Sequence, residues 1–427
     1  MFTLEKLKFL SPEETPELAK KFGTPLFVYD KETIHKNYSH FKSIPNAYGL
    51  TVRYSVKANP NAAILRIFDQ LGASFDVSSV WEAQRCVNAG ISPSKILITA
   101  QEISGPWENL CELGMEYDAG SLRQLIKYGQ RFPNTSVSLR LNPGFGSGLV
   151  QKLTSGGPHS SFGLWFEQID EAMAIASEYS LTIKRIHIHI GSGHDSEILE
   201  KTVKRALDFC HKIPSVSVLN LGGGYKITAL STDDNYDHHA VGNRIKGYLE
   251  SFFKDTSRKL KLEVEPGTAL VALAGAVITR VIDIVNTGET GYKFIKIDAG
   301  LTELMRPSYY GAIHPLVVVN QNGTTQNTEA YEQIVCGHCC VAGDSLTPVP
   351  GNTEMFKPII LASAKIDDFL VIERTGGYAA SMSVKNFNSY PEASEVCRYS
   401  NGKYYMIRSR QTLDQIVQNE LPLPDDN

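Results

Sequence analysis

The stretch "TVRYSVKANP", residues 51–60, ends a β-like run on a lysine. β-Branched and aromatic residues dominate from Thr51 to Val56, and Asn59-Pro60 breaks the run before a helical pattern starts. Lys57 therefore stands at the tip of a strand. A solvated charge is the ordinary reading of a lysine there, and a nucleophile is the sharper one.

Seven further apolar runs follow: "ASFDV" (73–77), "KILIT" (95–99), "GMEYDA" (114–119), "VSLRLN" (137–142), "IKRIHIHI" (183–190), "VSVLNL" (216–221) and "KLEVE" (261–265). The segments between them, such as "PNAAILRIFDQLG" and "FEQIDEAMAIASEYS", repeat apolar residues at helical spacing. Eight β/α units predict a TIM-like (β/α)8 barrel over residues 32–270, because parallel strands need helical crossovers. Periodicity alone also allows a doubly wound open sheet. After residue 270 the texture changes to short β-rich runs: "LVALAGAVITRVIDIVNT", "YKFIKIDAG", "HPLVVVN", "YEQIVCG", "FLVIERTG" and "KYYMIRS". These predict a second, all-β domain of Greek-key or sandwich type, formed by 1–31 and 271–427.

Composition narrows the function classes. The 427 residues carry a net charge of −4 and are 42% hydrophobic and 21% charged. No Lys/Arg run suggests a nucleic-acid or anionic-membrane partner, so a small molecule is expected. The N-terminus lacks an apolar leader core, and no window reaches the roughly 18 apolar residues of a membrane span. The expectation is a cytoplasmic protein. Seven cysteines, an odd and scattered set, agree with a reducing compartment. "VCGHCCVAGD" gathers Cys336, His338, Cys339 and Cys340, but no second Cys/His pair completes a zinc site, so no metal is expected. Structural thiols and one reactive thiol both remain open readings.

The C-terminal ends of barrel strands meet on one face. Here they carry Lys57, Asp76, Arg140, His189, the triplet Gly222-Gly223-Gly224, and Glu265. Singly, each has a plain reading: a barrel histidine, an Asp76–Arg140 ion pair, a turn at Glu265-Pro266-Gly267. Together they have a chemical logic. "LGGGY" offers bare backbone N–H groups to an anion, without the spacing of a dinucleotide fingerprint or a P-loop. A lysine for an aldehyde, an imidazole for a flat ring and a carboxylate for a protonated ring nitrogen meet the needs of pyridoxal 5′-phosphate.

At these residues the chain resembles the fold-type III pyridoxal-phosphate decarboxylases, most of all the diaminopimelate decarboxylases, with ornithine decarboxylases as cousins. The resemblance runs from "TPLFVYD" at Thr24 to "FNSYPEASEV" at Val396. It is carried by "YSVKAN", "RLNPG", the glycine motif at Gly146 to Gly163, "HIGSG", "LGGGY", "EPG", "DAGL", "RPSYYGAIH", "CVAGD" and "GGYAASM". It implies an alanine-racemase-like fold and decarboxylation of meso-diaminopimelate to L-lysine. By the same resemblance, Lys57 holds the cofactor through a Schiff base, His189 stacks on its ring and Glu265 meets its ring nitrogen. Ser192, Gly223, Gly224 and Tyr378 hold its phosphate, and Asp76, Arg140 and Gly267 complete the cofactor site. Arg306, Tyr310 and Tyr378 would bind substrate, and Cys340 would protonate the carbanion across a homodimer in which the β-rich domain completes the site.

Two positions depart from the family pattern. Val341 replaces the acidic residue that follows the cysteine, and Thr268 replaces the arginine of "EPGR". His338 and Glu303 are the nearby candidates to replace the lost acid. The alternative reading is a decarboxylase of the same family acting on another amino acid, ornithine-like or a secondary-metabolite or siderophore intermediate. Glu265 speaks against a racemase, and retained Lys57 and Cys340 speak against an inactive regulatory homologue.

Overall fold

The structure is a computed structural model that describes residues 4–148, 150–192, 196–233, 236–325 and 329–423. The chain divides into two compact units: 34–228 with 234–271, and 1–33 with 229–233 and 272–427. Strand β1 (Leu26–Asp30) comes first in the chain and belongs to the second of these.

The first unit holds β2 (Leu50–Ser55), β3 (Ser74–Val77), β4 (Ile96–Ile98), β5 (Glu116–Ala119), β6 (Ser136–Asn142), β7 (Leu164–Trp165), β8 (Thr182–His187), β9 (Val218–Asn220) and β10 (Lys261–Val264). All pairings are parallel, in the order β5-β4-β3-β2-β10-β9-β8-β6-β7, and β5 also pairs with β6. That last pairing closes a barrel and excludes the open sheet. Each predicted run supplies one barrel strand, and the short β7 is an addition paired to the end of β6. Helices start promptly after several strands because a polar side chain caps them: Asn61 accepts from Ala63 N–H, Ser79 from Glu82 N–H, and Ser121 from Gln124 N–H. Short capped turns bring the strand ends close to one another.

The barrel interior is polar. Tyr54, Phe75, Leu139, Ile186 and Leu262 are fully or almost fully buried, while the alternate positions carry charge. Glu263 receives Arg53 Nε–H at 3.0 Å and Arg185 Nε–H at 2.8 Å. Glu116 takes Nη2–H of both arginines, at 2.8 and 2.7 Å, and also pairs with Lys184. Burial pushes the Glu116 carboxyl up, but Arg185, Arg53 and Lys184 outweigh it and bring it down to about 2. Arg185 Nη1–H closes the layer on Ser138 Oγ at 2.6 Å.

The second unit joins β1 to β11 (Gly275–Asn286), β12 (Lys293–Ile297), β13 (Leu316–Val319), β14 (Ala330–Cys336), β17 (Ile359–Ala362), β18 (Phe369–Glu373), β19 (Ser394–Arg398) and β20 (Tyr404–Arg408) in one nine-stranded sheet. A separate ribbon pairs β15 (Pro348–Val349) with β16 (Asn352–Phe356). Alternate residues Leu26, Val28, Ala276, Ile278, Val317, Val319, Val371 and Val396 share one core with Leu18 and Ala19 of the helix Glu14–Phe22. One expectation needs correction. The run from Leu270 is not β throughout: Thr268–Val271 and Ala272–Ala274 are helical turns, and strand begins at Gly275. A short apolar run does not distinguish strand from buried helix. Among the described residues, no helix is long and apolar enough to cross a membrane.

The polar layer gives a stability prediction. Arg185→Met, which leaves Glu263 and Glu116 short of a buried cation, is expected to lower unfolding free energy by about 3–5 kcal/mol in urea titration. A loss below about 1 kcal/mol would show that Arg53 and Lys184 suffice.

Candidate active site

The barrel's polar layer repeats two residues further along each strand, as the period of a strand requires. Ser55, Asp118, Arg140, His187 and Glu265 follow Arg53, Glu116, Ser138, Arg185 and Glu263, and Asp76 and Asn220 join them from β3 and β9. All seven are buried.

Lys57 sits on the single 3-10 turn Val56–Ala58 directly after β2. Its Nζ lies 3.2 Å from Ser78 Oγ and 3.6 Å from Asp76 Oδ2, and its side chain is 41% exposed, so the amine is both held and reachable. Burial, and then the nearby Glu265, hold the Asp76 carboxyl above its ordinary value. Its Oδ1 is a buried oxygen without a hydrogen-bond partner. The ion-pair partner of Asp76 is thus Lys57, not Arg140. Arg140 lies with its guanidinium 4.8 Å from the Phe162 ring centroid, and burial pulls it below the usual guanidinium range against the pull of Asp118, Glu265 and Asp76.

Glu265 is the best-supported group of the site. Asn220 Nδ2–H donates to its Oε1 at 2.5 Å, and His187 Nε2 stands 3.3 Å from its Oε2. The His187 contact is an ion-pair approach off the hydrogen-bond line, since Nε2 has no hydrogen-bond partner. The other ring nitrogen of His187, Nδ1, lies 2.6 Å from Asp118 Oδ2. Burial works against the imidazolium, yet the Glu265 and Asp118 carboxylates outweigh it and push His187 up to about 9. Burial likewise works against the Glu265 carboxylate, and His187 with Asn220 holds it well below the usual carboxylate range. His187, Asp118 and Asn220 were not among the residues singled out from the sequence. For His187 the one signal is the alternation "RIHIH", which places two histidines on one face without saying which is buried.

His189 follows β8 and packs on the glycine triplet. Gly223 N–H donates to His189 Nδ1 at 3.2 Å. A Cβ on Gly222, whose φ is 65°, would fall 2.7 Å from His189 Cβ, and one on Gly223 would fall 2.5 Å from the Glu265 carbonyl oxygen. Bare backbone is therefore needed where histidine, glycine turn and Glu265 meet. Gly224 continues this turn, Gly267 follows Glu265 into the next helical turn, and Ser192 is half-buried just after the His189 segment. This set fits pyridoxal phosphate: an accessible amine, a buried carboxylate held ionised, an imidazole fixed by its neighbours, and a turn of exposed backbone.

In the other unit, Arg306 and Tyr310 share the helix Arg306–Tyr310, and the Arg306 guanidinium lies 6.0 Å from the Tyr378 ring centroid. Cys340 is exposed and held separately, its N–H donating to Asn388 Oδ1 at 2.8 Å. Asp344, which the sequence reading passed over, pins this loop by accepting from Cys339 N–H at 2.8 Å and Leu301 N–H at 3.0 Å. His338 stacks on Tyr390 at 3.8 Å between centroids and places Nε2 2.7 Å from Thr302 Oγ1. Glu303 lies beneath it, 1% exposed, accepting from Gly300 N–H at 3.0 Å. Val341 is 45% exposed.

Comparison with known proteins agrees with this chemistry. Residues 32–272 match the family model described as the pyridoxal-binding domain of pyridoxal-dependent decarboxylases. Diaminopimelate decarboxylase of Escherichia coli (strain K12) is 33% identical over 96% of this chain and 97% of its own length. The Streptomyces coelicolor diaminopimelate decarboxylase is 31% identical over 94% and 90%. Among solved structures, a diaminopimelate decarboxylase superposes with a TM-score of 0.88 at 31% identity, covering 96% of this chain and 97% of that one. The M. jannaschii enzyme in complex with L-lysine gives 0.83 at 26%, covering 95% and 94%. With an accessible lysine and an ionised buried glutamate at one end of the barrel, and with these relatives along nearly its whole length, the chain belongs to the pyridoxal-dependent decarboxylases.

Proposed function

We propose that this protein decarboxylates meso-diaminopimelate to L-lysine and carbon dioxide with pyridoxal phosphate as cofactor. The observation that carries the reading is the pairing of an accessible Lys57 amine with a Glu265 carboxylate kept ionised inside the barrel. Relatives that span the chain bear the name diaminopimelate decarboxylase, which supports the choice of substrate.

When bound, pyridoxal phosphate supplies an aldehyde that takes up an amine and a ring that accepts the electron pair left by departing carbon dioxide. Lys57 Nζ would be the amine of this chain that holds the aldehyde, standing 3.6 Å from Asp76 Oδ2. Glu265, held ionised by His187 and Asn220, would meet the ring nitrogen of the cofactor and keep it protonated. A group prearranged in this way needs no reorganisation during the reaction. His189, fixed by Gly223 N–H, would lie against the flat ring, and Ser192, Gly223, Gly224 and Tyr378 would hold the phosphate. Asp76, Arg140 and Gly267 shape the remaining wall. Arg306, Tyr310 and Tyr378 bind the substrate, and Cys340 Sγ returns a proton to carbon.

We carry over from the family a homodimer in which the Cys340 loop serves the partner's site. The exposure of Cys340 and Val341 supports it. Seven free thiols support a cytoplasmic setting. A second reading is favoured by one observation. Val341 offers no charge, and Glu303, the acid nearest in the motif, is buried beneath His338 and accepts from Gly300 and Thr302. A substrate without a distal ammonium group would suit that loop.

Mass spectrometry after incubating the pyridoxal-phosphate-loaded protein with meso-diaminopimelate tests the proposal. Lysine and carbon dioxide in equal amounts are expected. Turnover of another amino acid with none of this one would establish the second reading. Lys57→Ala is expected to lose the yellow absorbance of the bound cofactor and to slow turnover by on the order of a thousandfold or more; retained colour would remove Lys57 from its role.

His187 gives a pH prediction. Its folded value, about 9, lies above the ordinary 6.5, so its contribution to stability is full below pH 6.5 and is lost as pH rises through 9. The stability gap between wild type and His187→Gln should therefore narrow by on the order of 2–3 kcal/mol from pH 6 to above pH 9. A gap of constant size in urea titrations across that range would mean that folding does not raise His187 above its ordinary value.

A further inference from the structure

Asp118 enters none of the steps above, yet it touches the group that supports Glu265. It stands on β5 opposite Ser138 of β6, and inside the barrel it reaches past β6 to His187 of β8. Asp118 Oδ2 lies 2.6 Å from His187 Nδ1, and Glu265 Oε2 lies 3.3 Å from His187 Nε2. The Asp118 side chain is closed to water, that of His187 is 1% exposed and that of Glu265 4%. One imidazole thus stands between two buried carboxylates, with one at each ring nitrogen.

A neutral imidazole has one N–H and one lone pair. Whichever nitrogen held the proton, the other would turn a lone pair toward a carboxylate in a space closed to water, and that contact is repulsive. Protonation of both nitrogens removes the conflict. His187 is accordingly pushed up to about 9 although burial works against its charge. The lower layer meets its carboxylates with arginines, whose charge is fixed, whereas this layer uses the side chain that titrates near neutrality. The charge here is adjustable, and Asp118 sets it.

The other charged groups of the layer have partners of their own. Arg140 of β6, which Asp118 and Glu265 also attract, lies over the Phe162 ring, and Asp76 of β3 faces the Lys57 amine at 3.6 Å. Asn220 of β9 is neutral and donates to Glu265 Oε1 at 2.5 Å. Asp118 Oδ1 is buried without a hydrogen-bond partner, so among the described residues His187 is the group that holds this carboxylate. Loss of the carboxylate would let His187 become neutral, with its N–H kept for Glu265.

The charge on His187 decides where a proton between Glu265 and the cofactor rests. A positive charge 3.3 Å from Oε2 repels a proton from that carboxylate more than from a nitrogen bonded beyond it. The cofactor ring accepts electrons best with its nitrogen protonated. We propose that Asp118 is a positioning residue of the reaction: by keeping His187 doubly protonated, it keeps the proton shared by Glu265 and the ring nitrogen on the nitrogen. Asp118 touches neither cofactor nor substrate in this role, which rests on the reading of Glu265 as the partner of the ring nitrogen.

Nitrogen magnetic resonance of the holoenzyme, loaded with pyridoxal phosphate labelled at the ring nitrogen, reads that proton without substrate. In wild type the signal should stay at the protonated position until His187 itself titrates, at about 9. In Asp118→Asn, which keeps the shape and a hydrogen bond to Nδ1, it should move toward the unprotonated position as pH rises from about 6 to about 8, the range in which an ordinary imidazole loses its proton. Over the same range the kcat of Asp118→Asn on meso-diaminopimelate, taken relative to wild type, should fall by on the order of tenfold. Asp118→Glu, which restores the carboxylate, should return both readouts toward the wild-type pH range. A signal in Asp118→Asn that matches wild type at every pH would overturn the proposal, as would one displaced by the same amount at every pH, the mark of altered packing alone. A ring nitrogen without a proton in wild type at neutral pH would remove Glu265 from its role and the proposal with it. If the signal follows pH as expected while meso-diaminopimelate is not decarboxylated, the role of Asp118 stands and the assigned substrate falls.

Discussion

The bridge that Glu263 makes between Arg53 and Arg185 sets the register on which the barrel's chemistry depends. A side chain returns to the same face every second residue, so pairing Arg53, Glu116, Ser138, Arg185 and Glu263 in one layer obliges Ser55, Asp118, Arg140, His187 and Glu265 to form the next. Slipping one strand by one residue would turn Val52 or Tyr54, Ile186, or Val264 into a layer of charges and expose the corresponding ions to the apolar helix side. That slip would leave buried ions unpaired, at a cost of several kcal/mol each. The lower layer takes no part in the chemistry, and it fixes where the upper layer stands.

The upper layer solves a harder problem, since it brings several carboxyl groups into one buried space. Asp118 and Glu265 flank His187, and the charge of the imidazolium satisfies both. Asp76 has a weaker neighbour, the half-exposed Lys57 amine at 3.6 Å. It feels Glu265 as a like charge, and its acidity falls while that of Glu265 rises. The environment thus sorts two carboxyl groups of similar intrinsic strength into different roles. Glu265 is held ionised by its neighbours, and Asp76, beside the Lys57 amine, is held above its ordinary value.

Much of this was legible in the sequence, for reasons that also mark the boundary of what was not. The eight runs were found because apolar residues alternate with polar ones, and that alternation exists because the barrel interior is charged rather than greasy. Lys57, Asp76, Arg140, His189 and Glu265 were found because they fall at strand ends, where convergence is a property of the architecture. His187 and Asp118 escaped because strand periodicity says which residues share a face and says nothing of which ions pair across the barrel. Asn220 escaped for the same reason, its partner Glu265 being 45 residues away. The helical turns at Thr268–Ala274 were read as strand because an apolar run of that length has no period to betray it.

The two units handle charge in opposite ways, and the contrast bears on specificity. In the barrel, the arginines Arg53 and Arg185 meet carboxylates that the chain itself supplies. In the β-rich unit, Arg306 is buried with an N–H group that the described side chains leave unmet. The same unit keeps Glu303 shielded under His338 and presents Val341, not an acid, to solvent. The unit thus leaves a buried cation unmet while it shields its nearest acid. Selection in such a site comes from the donors left unsatisfied when a ligand lacks the matching acceptor, because an unmet buried charge costs more than a good contact gains.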